Sequence, residues 1–194
     1  YFSKHLHILL AFPNTYFANL NPEGQFDNLA SVTNEVKLMM DPNADPFAAA
    51  PEPAITPSKF GASDVQDLNW VQLLNAYSCT ECGRCTSSCP ANQTGKKLSP
   101  RKIMMDTRDR LEEVGRNIDL NKGVFVDDGK SLLNDYITPE ELWACTTCNA
   151  CVEECPINIS PLSIIIDMRR YLVMEQSAAP MELNNMMSNI ENNG

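Results

Sequence analysis

The sequence has few positive charges, no long apolar run and no nucleotide-binding motif. Its 194 residues include 15 Lys and Arg against 25 Asp and Glu, a formal net charge of −10. Nucleic-acid binders need a basic surface to neutralise phosphates, so this balance argues against one. The patterns G-x-G-x-x-G and G-x-x-x-x-G-K-[ST], which bind dinucleotides and phosphates, are absent. We therefore expect that the chain has no substrate site and no catalytic residues of its own.

Cysteine is missing from most of the chain, because all eight cysteines lie within residues 79–89 and 145–155. A disulfide framework spreads its cysteines to connect distant segments, so this clustering disfavours disulfides. A zinc ribbon needs separated cysteine pairs around one tetrahedral ion, and it is also a poor match. Paired iron–sulfur clusters are the strongest interpretation.

The cysteines form two copies of one motif, C-x-x-C-x-x-C-x-x-x-C-P, at residues 79–90 and 145–156. An aromatic residue, Tyr77 or Trp143, lies two positions before each copy. The similarity continues downstream, where Ser99, Pro100, Ile103, Asp106 and Arg108 correspond to Ser160, Pro161, Ile164, Asp167 and Arg169. This internal repeat predicts two halves, each made of helix, cysteine loop and helix, related by an approximate twofold axis.

The spacing of the cysteines also predicts how clusters would be held. Three cysteines two residues apart can surround one cluster, and in two-cluster ferredoxins the fourth ligates the other cluster. We therefore expect two [4Fe–4S] clusters with exchanged ligands. The first would take Cys79, Cys82, Cys85 and Cys155, and the second Cys145, Cys148, Cys151 and Cys89. Gly83 and Asn149 lie at equivalent places where the loop needs residues that accept positive φ.

Several helix start signals surround the two motifs. Ser63 with Gln66 resembles a capping box before a periodic apolar stretch. Three further starts, Ser99-Pro100, Thr138-Pro139 and Ser160-Pro161, each combine an N-cap with a proline at the first helical position. Gly115 is expected to end the helix that follows Ser99, and residues 124–126 are the one extended candidate. The predicted fold class is mainly α.

The doubled motif with a long helical segment between its copies resembles the α-helical ferredoxin module, not the compact β-α-β ferredoxin. It is similar to the iron–sulfur subunit of heterodisulfide reductases and to the cluster-bearing part of anaerobic glycerol-3-phosphate dehydrogenase. The iron–sulfur subunit of succinate dehydrogenase is less similar. The resemblance covers about residues 62–177 and implies an electron-transfer module with two [4Fe–4S] clusters.

The segments around this module predict four regions. We expect an N-terminal membrane-proximal element at 1–40, a Pro/Ala-rich linker at 41–62, the di-cluster domain at 63–177 and a C-terminal helix at 178–194 leading to a missing downstream region. Residues 41–57 contain five prolines, which exclude a helix or a central strand. The apolar run at residues 6–12 is shorter than the roughly 20 residues that cross a bilayer. It is expected to be the foot of a preceding membrane helix, or else an ordinary apolar helix.

Residues 1–7 and 13–17 resemble the end of a cytochrome-b-type membrane domain that is fused before such modules in bacterial oxidoreductases. The resemblance implies a piece of a membrane-bound (Fe–S) oxidoreductase at the cytoplasmic face of the bacterial inner membrane. Its partners would be a cytochrome-b-like membrane domain and a cysteine-rich or flavin-containing redox partner. The chain would relay single electrons between a membrane haem or quinone domain and a soluble catalytic domain or partner. His5 and His7 are candidate haem contacts, or else exposed histidines. The alternatives are a free-standing ferredoxin-type carrier and an iron–sulfur sensor or structural protein.

Two groups of charged residues are each open to two interpretations. Four basic residues could dock an acidic redox partner or form a solvated helix face; they are Lys96, Lys97, Arg101 and Lys102. The repeated pairs could form a proton path, but a structural role near the helix start is favoured; they are Asp106 with Arg108 and Asp167 with Arg169.

Overall fold

The computed structural model of the protein describes residues 5–21, 24–26, 28–41 and 59–193. Within these ranges the regular structure is helical, and the only ladder contact is an isolated bridge between Leu133 and Ile137. The mainly α prediction is confirmed. Residues 1–4 and residues 42–58 of the predicted linker at 41–62 lie outside the described residues.

The helices are distributed along the whole described chain. In order they are α1 (Leu6–Tyr16), α2 (Ala30–Met40), α3 (Trp70–Ser78), α4 (Arg84–Ser87), α5 (Pro90–Gln93), α6 (Pro100–Leu120), α7 (Pro139–Ala144), α8 (Ala150–Glu153), α9 (Pro161–Met174) and α10 (Met181–Asn193). A 3₁₀ turn at Val65–Asp67 precedes α3, and a π-type turn at Leu132–Tyr136 precedes α7.

The described residues divide into two units. Residues 5–20 and 59–193 belong to the larger one, and the described part of 21–58 forms the other. The smaller unit contains α2, at whose start the Thr33 hydroxyl donates to the Leu29 carbonyl at 3.0 Å. Its apolar side chains, such as Met39 and Met40, are largely exposed.

The internal repeat organises the larger unit. Helices α3, α4 and α6 correspond to α7, α8 and α9, and the short helices and the long helices each contact their equivalents, α4 with α8 and α6 with α9. The predicted caps are present, since the hydroxyls of Ser99, Thr138 and Ser160 each accept a hydrogen bond from the first turn of the following helix. The contacts of α4 with α8 and of α6 with α9 are those expected for two halves that pack face to face.

The first predicted helix start was wrong. Asp64, not Ser63, caps the 3₁₀ turn, and the backbone at Leu68 is extended (φ −78°, ψ 149°). Helix α3 then begins separately, with a capping box between Asn69 and Gln72. The apolar periodicity of residues 65–77 therefore extends over two elements. Val65 and Leu68 are buried, whereas the buried residues of α3 are Gln72, Asn75, Ala76 and Ser78.

The expected helix end at Gly115 and the expected strand at 124–126 were also wrong. Helix α6 continues through Gly115 to Leu120. The segment after it returns along the helix, where the Asn117 amide donates to the Val126 carbonyl at 2.8 Å and the Asn117 side-chain oxygen accepts from the Val126 backbone N–H at 2.9 Å. A side chain thus satisfies the backbone that a neighbouring strand would have paired.

The core lies between the two halves and is built mainly from aliphatic side chains. Those that are almost completely buried include Leu98, Ile103, Met104, Leu132, Leu142, Ile164, Ile165 and Met168. Burial of such a side chain contributes about 1.5–3 kcal/mol each. The guanidinium of Arg110 is also fully buried in this core.

Helix α1 packs on α3 and reaches both cysteine motifs. The Ser78 hydroxyl, next to Cys79, donates to the Leu10 carbonyl at 3.3 Å. The buried Asn14 amide donates to the carbonyl of Ile157, two residues after Cys155, at 2.8 Å. In the part of the chain that the structure describes, no helix combines the length and the apolar character needed to cross a membrane.

Candidate iron–sulfur site

The two cysteine motifs begin in the same way. Helices α3 and α7 end at Cys79 and Cys145, whose backbones have nearly the same extended angles (φ −63°, ψ 119° and φ −70°, ψ 126°). Each motif then turns into a short helix through a left-handed residue, Gly83 (φ 81°) or Asn149 (φ 60°). The predicted positive φ at these equivalent positions is therefore present.

A second left-handed position in each loop was missed from the sequence. It is occupied by Glu81 (φ 58°) in the first motif and by Thr147 (φ 54°) in the second. Glutamate and threonine adopt this conformation at a cost, so no propensity rule would have found them. The turn directs the backbone N–H of Thr147 to the Cys145 sulfur at 3.4 Å, and the Glu81 backbone N–H donates to the Cys79 sulfur in the same way.

The eight cysteines lie around two adjacent cavities. The first is lined by Cys79, Cys82, Cys85, Cys151 and Cys155, and the second by Cys89, Cys145, Cys148 and Cys151. Each cavity therefore contains three cysteines of one motif and the fourth cysteine of the other, and Cys151 borders both. The structure thus brings together both predicted ligand sets, while the ligation itself stays a prediction.

The thiols and their surroundings fit clusters better than single ions. Aliphatic residues close both cavities, among them Ile157 and Ile159 at the first and Leu162 and Ile165 at the second. Within the described ranges, no three His, Cys, Asp or Glu side chains could hold one metal ion. In a [4Fe–4S] cluster each thiolate binds a different iron, so its four ligands stand further apart than the ligands of one ion. The donor set, five thiols around the first cavity and four around the second with Cys151 shared, supplies the four thiolates that each such cluster uses.

Burial controls the protonation of these thiols. It raises the pKa of Cys79, Cys85 and Cys145, and it raises the pKa of Cys151 to about 12, with the neighbouring cysteines acting in the same direction. Without iron these four thiols therefore hold their protons at neutral pH. Because metal ligands must be thiolates, cluster binding has to displace these protons, and the iron charge compensates the buried negative charges.

The two motifs share an exposed second cysteine, whereas the buried cysteine is the fourth of the first motif and the third of the second. Cys89 and Cys151 are buried, whereas the second cysteine of each motif, Cys82 or Cys148, is exposed. A cluster in either cavity would therefore be closest to solvent at its second cysteine. That edge is where electrons could be exchanged with another protein.

Three of the four basic residues that were candidates for docking have different surroundings. Lys97 forms an ion pair with Glu140, and Lys102 pairs with Asp106 at 2.7 Å and with Glu141 at 2.9 Å. Arg101, together with Arg84, instead borders the first cavity. A partner could thus reach Arg101 beside the exposed Cys82, while Lys97 and Lys102 are engaged within the chain.

Asp167, one of the two repeated aspartates, forms contacts that hold the two halves together. The Asp167 carboxylate accepts from the Gln72 amide at 2.7 Å and pairs with Arg170 at 2.9 Å. Its backbone carbonyl accepts from the Ala62 N–H at 3.0 Å. These contacts support the favoured structural role over a proton path.

Comparison with known proteins agrees with this arrangement. Residues 78–159 match the family described as "4Fe-4S dicluster domain". This segment is an iron–sulfur, ferredoxin-like domain. The dicluster domain spans both cysteine motifs and the whole of α6 between them. The comparison with solved structures found no match.

Three relatives illustrate which proteins the chain is similar to. It is 30% identical to the "Probable iron-sulfur-binding oxidoreductase FadF" of Bacillus subtilis, over 99% of this chain and 28% of that protein. It is 33% identical to the "EtfAB:quinone oxidoreductase" of Syntrophomonas wolfei, over 84% of this chain and 25% of that protein. A third relative, one subunit of the ferredoxin- and F(420)H(2)-dependent CoB-CoM heterodisulfide reductase of Methanosarcina acetivorans, is 35% identical over 55% of this chain and 52% of its own length. The resemblance of the dicluster domain to heterodisulfide reductase is confirmed, and the chain spans only about a quarter of the first two relatives.

Proposed function

We propose that the chain is the electron-transfer part of an oxidoreductase. Two [4Fe–4S] clusters would relay single electrons between a membrane haem or quinone domain and a soluble catalytic domain or partner. The main support is the pair of adjacent cavities, each bordered by three cysteines of one motif and the fourth of the other. Because Cys151 borders both cavities, the clusters would lie side by side with a short path for an electron.

The proposed ligands are the two exchanged sets. Cys79, Cys82, Cys85 and Cys155 would bind the first cluster, and Cys145, Cys148, Cys151 and Cys89 the second. The clusters supply reversible one-electron chemistry when bound. The chain positions them, excludes water with aliphatic side chains and directs backbone N–H groups at the sulfurs.

The proposed partners rest on the relatives and on the N-terminal resemblance. One relative is named as a quinone oxidoreductase, which supports a quinone or haem domain on one side. We place a cytochrome-b-like membrane domain before the module and a cysteine-rich or flavin-containing redox partner after it, at the cytoplasmic face of a bacterial inner membrane. The regions 1–40, 41–62, 63–177 and 178–194 are the corresponding functional divisions.

Anaerobic reconstitution followed by a redox titration tests the relay. The chain should bind about eight iron and eight sulfide, and dithionite should reduce both clusters reversibly, as followed by electron paramagnetic resonance. A sensor or structural protein would instead lose its clusters or fail to accept electrons. If dithionite reduces neither cluster, the relay function is wrong.

Fractionation of cells that express the full-length gene separates the relay from the free-standing carrier. The relay predicts that the protein sediments with membranes and that quinone or haem reduction depends on its cysteines. A ferredoxin-type carrier would be recovered in the supernatant as a diffusible protein.

A further inference from the structure

Two arginines occupy the same position in the two halves of the repeat. Arg108 on α6 and Arg169 on α9 are equivalent by the alignment of the motifs. Arg108 forms an ion pair with Glu81, two residues after Cys79, and Arg169 donates to the Cys145 carbonyl. The repeat therefore places one guanidinium beside the start of each cysteine motif.

Arg169 is held firmly beside the second cavity. Its guanidinium donates to the Leu142 carbonyl at 2.6 Å and to the Cys145 carbonyl at 2.5 Å, and it lies 5.0 Å from the centre of the Trp143 ring. In the described part of the chain, no carboxylate forms an ion pair with it. Its positive charge is thus uncompensated and partly removed from solvent.

Arg108 has a different environment because the two loops differ at one residue. Glu81 in the first loop pairs with Arg108 at 2.6 Å, and Asp109 lies 3.8 Å from the same guanidinium. The equivalent of Glu81 in the second loop is Thr147, whose hydroxyl donates to the adjacent Thr146 carbonyl. The first half therefore neutralises its arginine, and the second half does not.

These charges matter because reduction adds one negative charge to a cluster. A nearby positive charge favours the reduced form and raises the reduction potential, and a carboxylate has the opposite effect. The interaction is stronger where protein replaces water around the charges. Because Arg169 is fixed by backbone carbonyls and an aromatic ring, its charge stays at one distance from the second cavity.

We propose that Arg108 and Arg169 set the reduction potentials of the two clusters, and that Glu81 offsets Arg108 so that the two halves are tuned differently. This inference rests on the proposed function, since it requires clusters in both cavities. Three further charged residues, Arg84, Arg101 and Glu154, border the first cavity. The inference therefore concerns how each potential changes on substitution, not which potential is higher.

Exchanging the two loop residues tests the inference with little risk to the fold. Glu81→Thr and Thr147→Glu each introduce a residue type that already adopts this positive φ at the equivalent position. Glu81→Thr should raise one midpoint potential, and Thr147→Glu should lower the other. Each change should be at least tenfold in the equilibrium constant for reduction, about 59 mV for one electron. The measurement is a titration of the reconstituted chain followed by electron paramagnetic resonance.

Variants of Arg169 separate its charge from its structural contacts. Arg169→Gln should lower the same midpoint that Thr147→Glu lowers. Arg169→Lys cannot reproduce the two-carbonyl contact. Because it keeps a positive charge, its midpoint potential should stay close to that of the unaltered chain. If the role of Arg169 were only structural, Arg169→Gln and Arg169→Lys would have equal midpoint potentials or would lose similar amounts of the cluster. Glu182→Gln on the exposed helix α10 is the control for total charge and should move neither midpoint.

The outcomes distinguish this inference from the function on which it rests. If the unaltered chain assembles no reducible clusters, the proposed function fails. If both clusters titrate, shifts of the expected sign on two separate midpoints support the inference. Shifts below tenfold, shifts of the opposite sign, or a shift of one shared midpoint by both loop variants would overturn it.

Discussion

At the scale of single residues, the fourth cysteine of each motif decides how the halves are connected. Cys155 lies beside Cys79, Cys82 and Cys85, although the nearest of these is far away in sequence. Crossed ligation predicts that Cys155→Ser and Cys82→Ser alter the same cluster, because they remove ligands from one iron–sulfur centre. Cys89→Ser and Cys148→Ser should alter the other.

Mössbauer and electron paramagnetic resonance spectra of the cluster that remains intact provide the measurement. The intact cluster should have one spectrum in the first pair of variants and another in the second pair. If the Cys155→Ser spectrum instead matches that of Cys148→Ser, each motif holds its own cluster and the exchange is wrong.

Arg110 is the largest charged group in the core and forms a buried ion network. Its guanidinium contacts Asp64 at 2.8 Å and Asp128 at 2.6 Å, and it donates to the Lys130 carbonyl at 2.8 Å. This contact lowers the pKa of Asp128 to about 2. The network joins α6 to the turn before α3 and to the loop before α7.

Replacing Arg110 should be far more damaging than replacing an exposed arginine of the same helix. Arg110→Leu leaves two carboxylates without their partner, which costs about 3–5 kcal/mol when a buried pair is broken. Arg116 pairs with Glu112 at 3.1 Å and its side chain is 74% exposed, so Arg116→Leu should cost about 0.5 kcal/mol or less. Chemical denaturation of both reconstituted variants measures the difference, and equal losses would contradict a structural network.

The sequence predicted the cysteines as cluster ligands but did not predict the ion network of Arg110, for a physical reason. The spacing within C-x-x-C-x-x-C is local, and the chemistry of one cluster imposes it. Arg110 differs in no pattern from Arg108 or Arg116 on the same helix, because its partners at Asp64 and Asp128 are distant along the chain. A contact that tertiary packing creates has no local signal in the sequence.

At the scale of elements, the helix starts were more predictable than the helix ends. The caps at Ser99, Thr138 and Ser160 depend on a side chain and a backbone N–H three residues apart, so the sequence contains the whole interaction. Gly115 did not end α6, because the packing of that helix against α3 and α9 outweighs the low helix propensity of one glycine. Local rules predict an element where the interaction that forms it is local.

Gly61 shows how closely one element can approach another. It has φ 75°, and a Cβ atom at this position would lie 2.2 Å from the Asp167 carbonyl oxygen and 2.6 Å from the Tyr171 nitrogen on α9. Gly61→Ala should therefore push the segment before α3 away from α9 and break the hydrogen bond from the Ala62 N–H to the Asp167 carbonyl. We expect a loss of about 2–4 kcal/mol from this combination of strain and displaced packing.

Gly115→Ala is the matched control for the same substitution. Gly115 lies inside α6, and no atom lies near the position of an added Cβ. Alanine should stabilise the helix there by about 0.5–1 kcal/mol. Denaturant midpoints of the two reconstituted variants should move in opposite directions; equal shifts would show that α9 can yield to the added methyl group.

At the scale of the whole molecule, the clusters would be structural as well as functional. The cavities lie at the junction of the two halves, where α4 meets α8 and Cys151 borders both cavities. Burial raises the pKa of Cys79 and Cys151, so the metal-free protein must enclose protonated cysteines without their ligand bonds. Cluster binding is then coupled to folding of the repeat.

Removal of iron should therefore unfold about residues 62–177. Anaerobic chelation with an oxidant should abolish the tertiary circular dichroism signals and much of the helical signal in one cooperative step, because each lost cluster removes ligands from both halves. Tryptophan emission should also change. The Trp143 ring lies 5.0 Å from Arg169, and the Trp70 ring packs edge-on against Phe17 of the N-terminal segment at 4.8 Å. In Cys155→Ser the same transition should occur at a lower chelator concentration, because one cluster is already weakened. Retained helicity and sharp tertiary signals after complete iron loss would mean that the aliphatic core alone holds the two halves together.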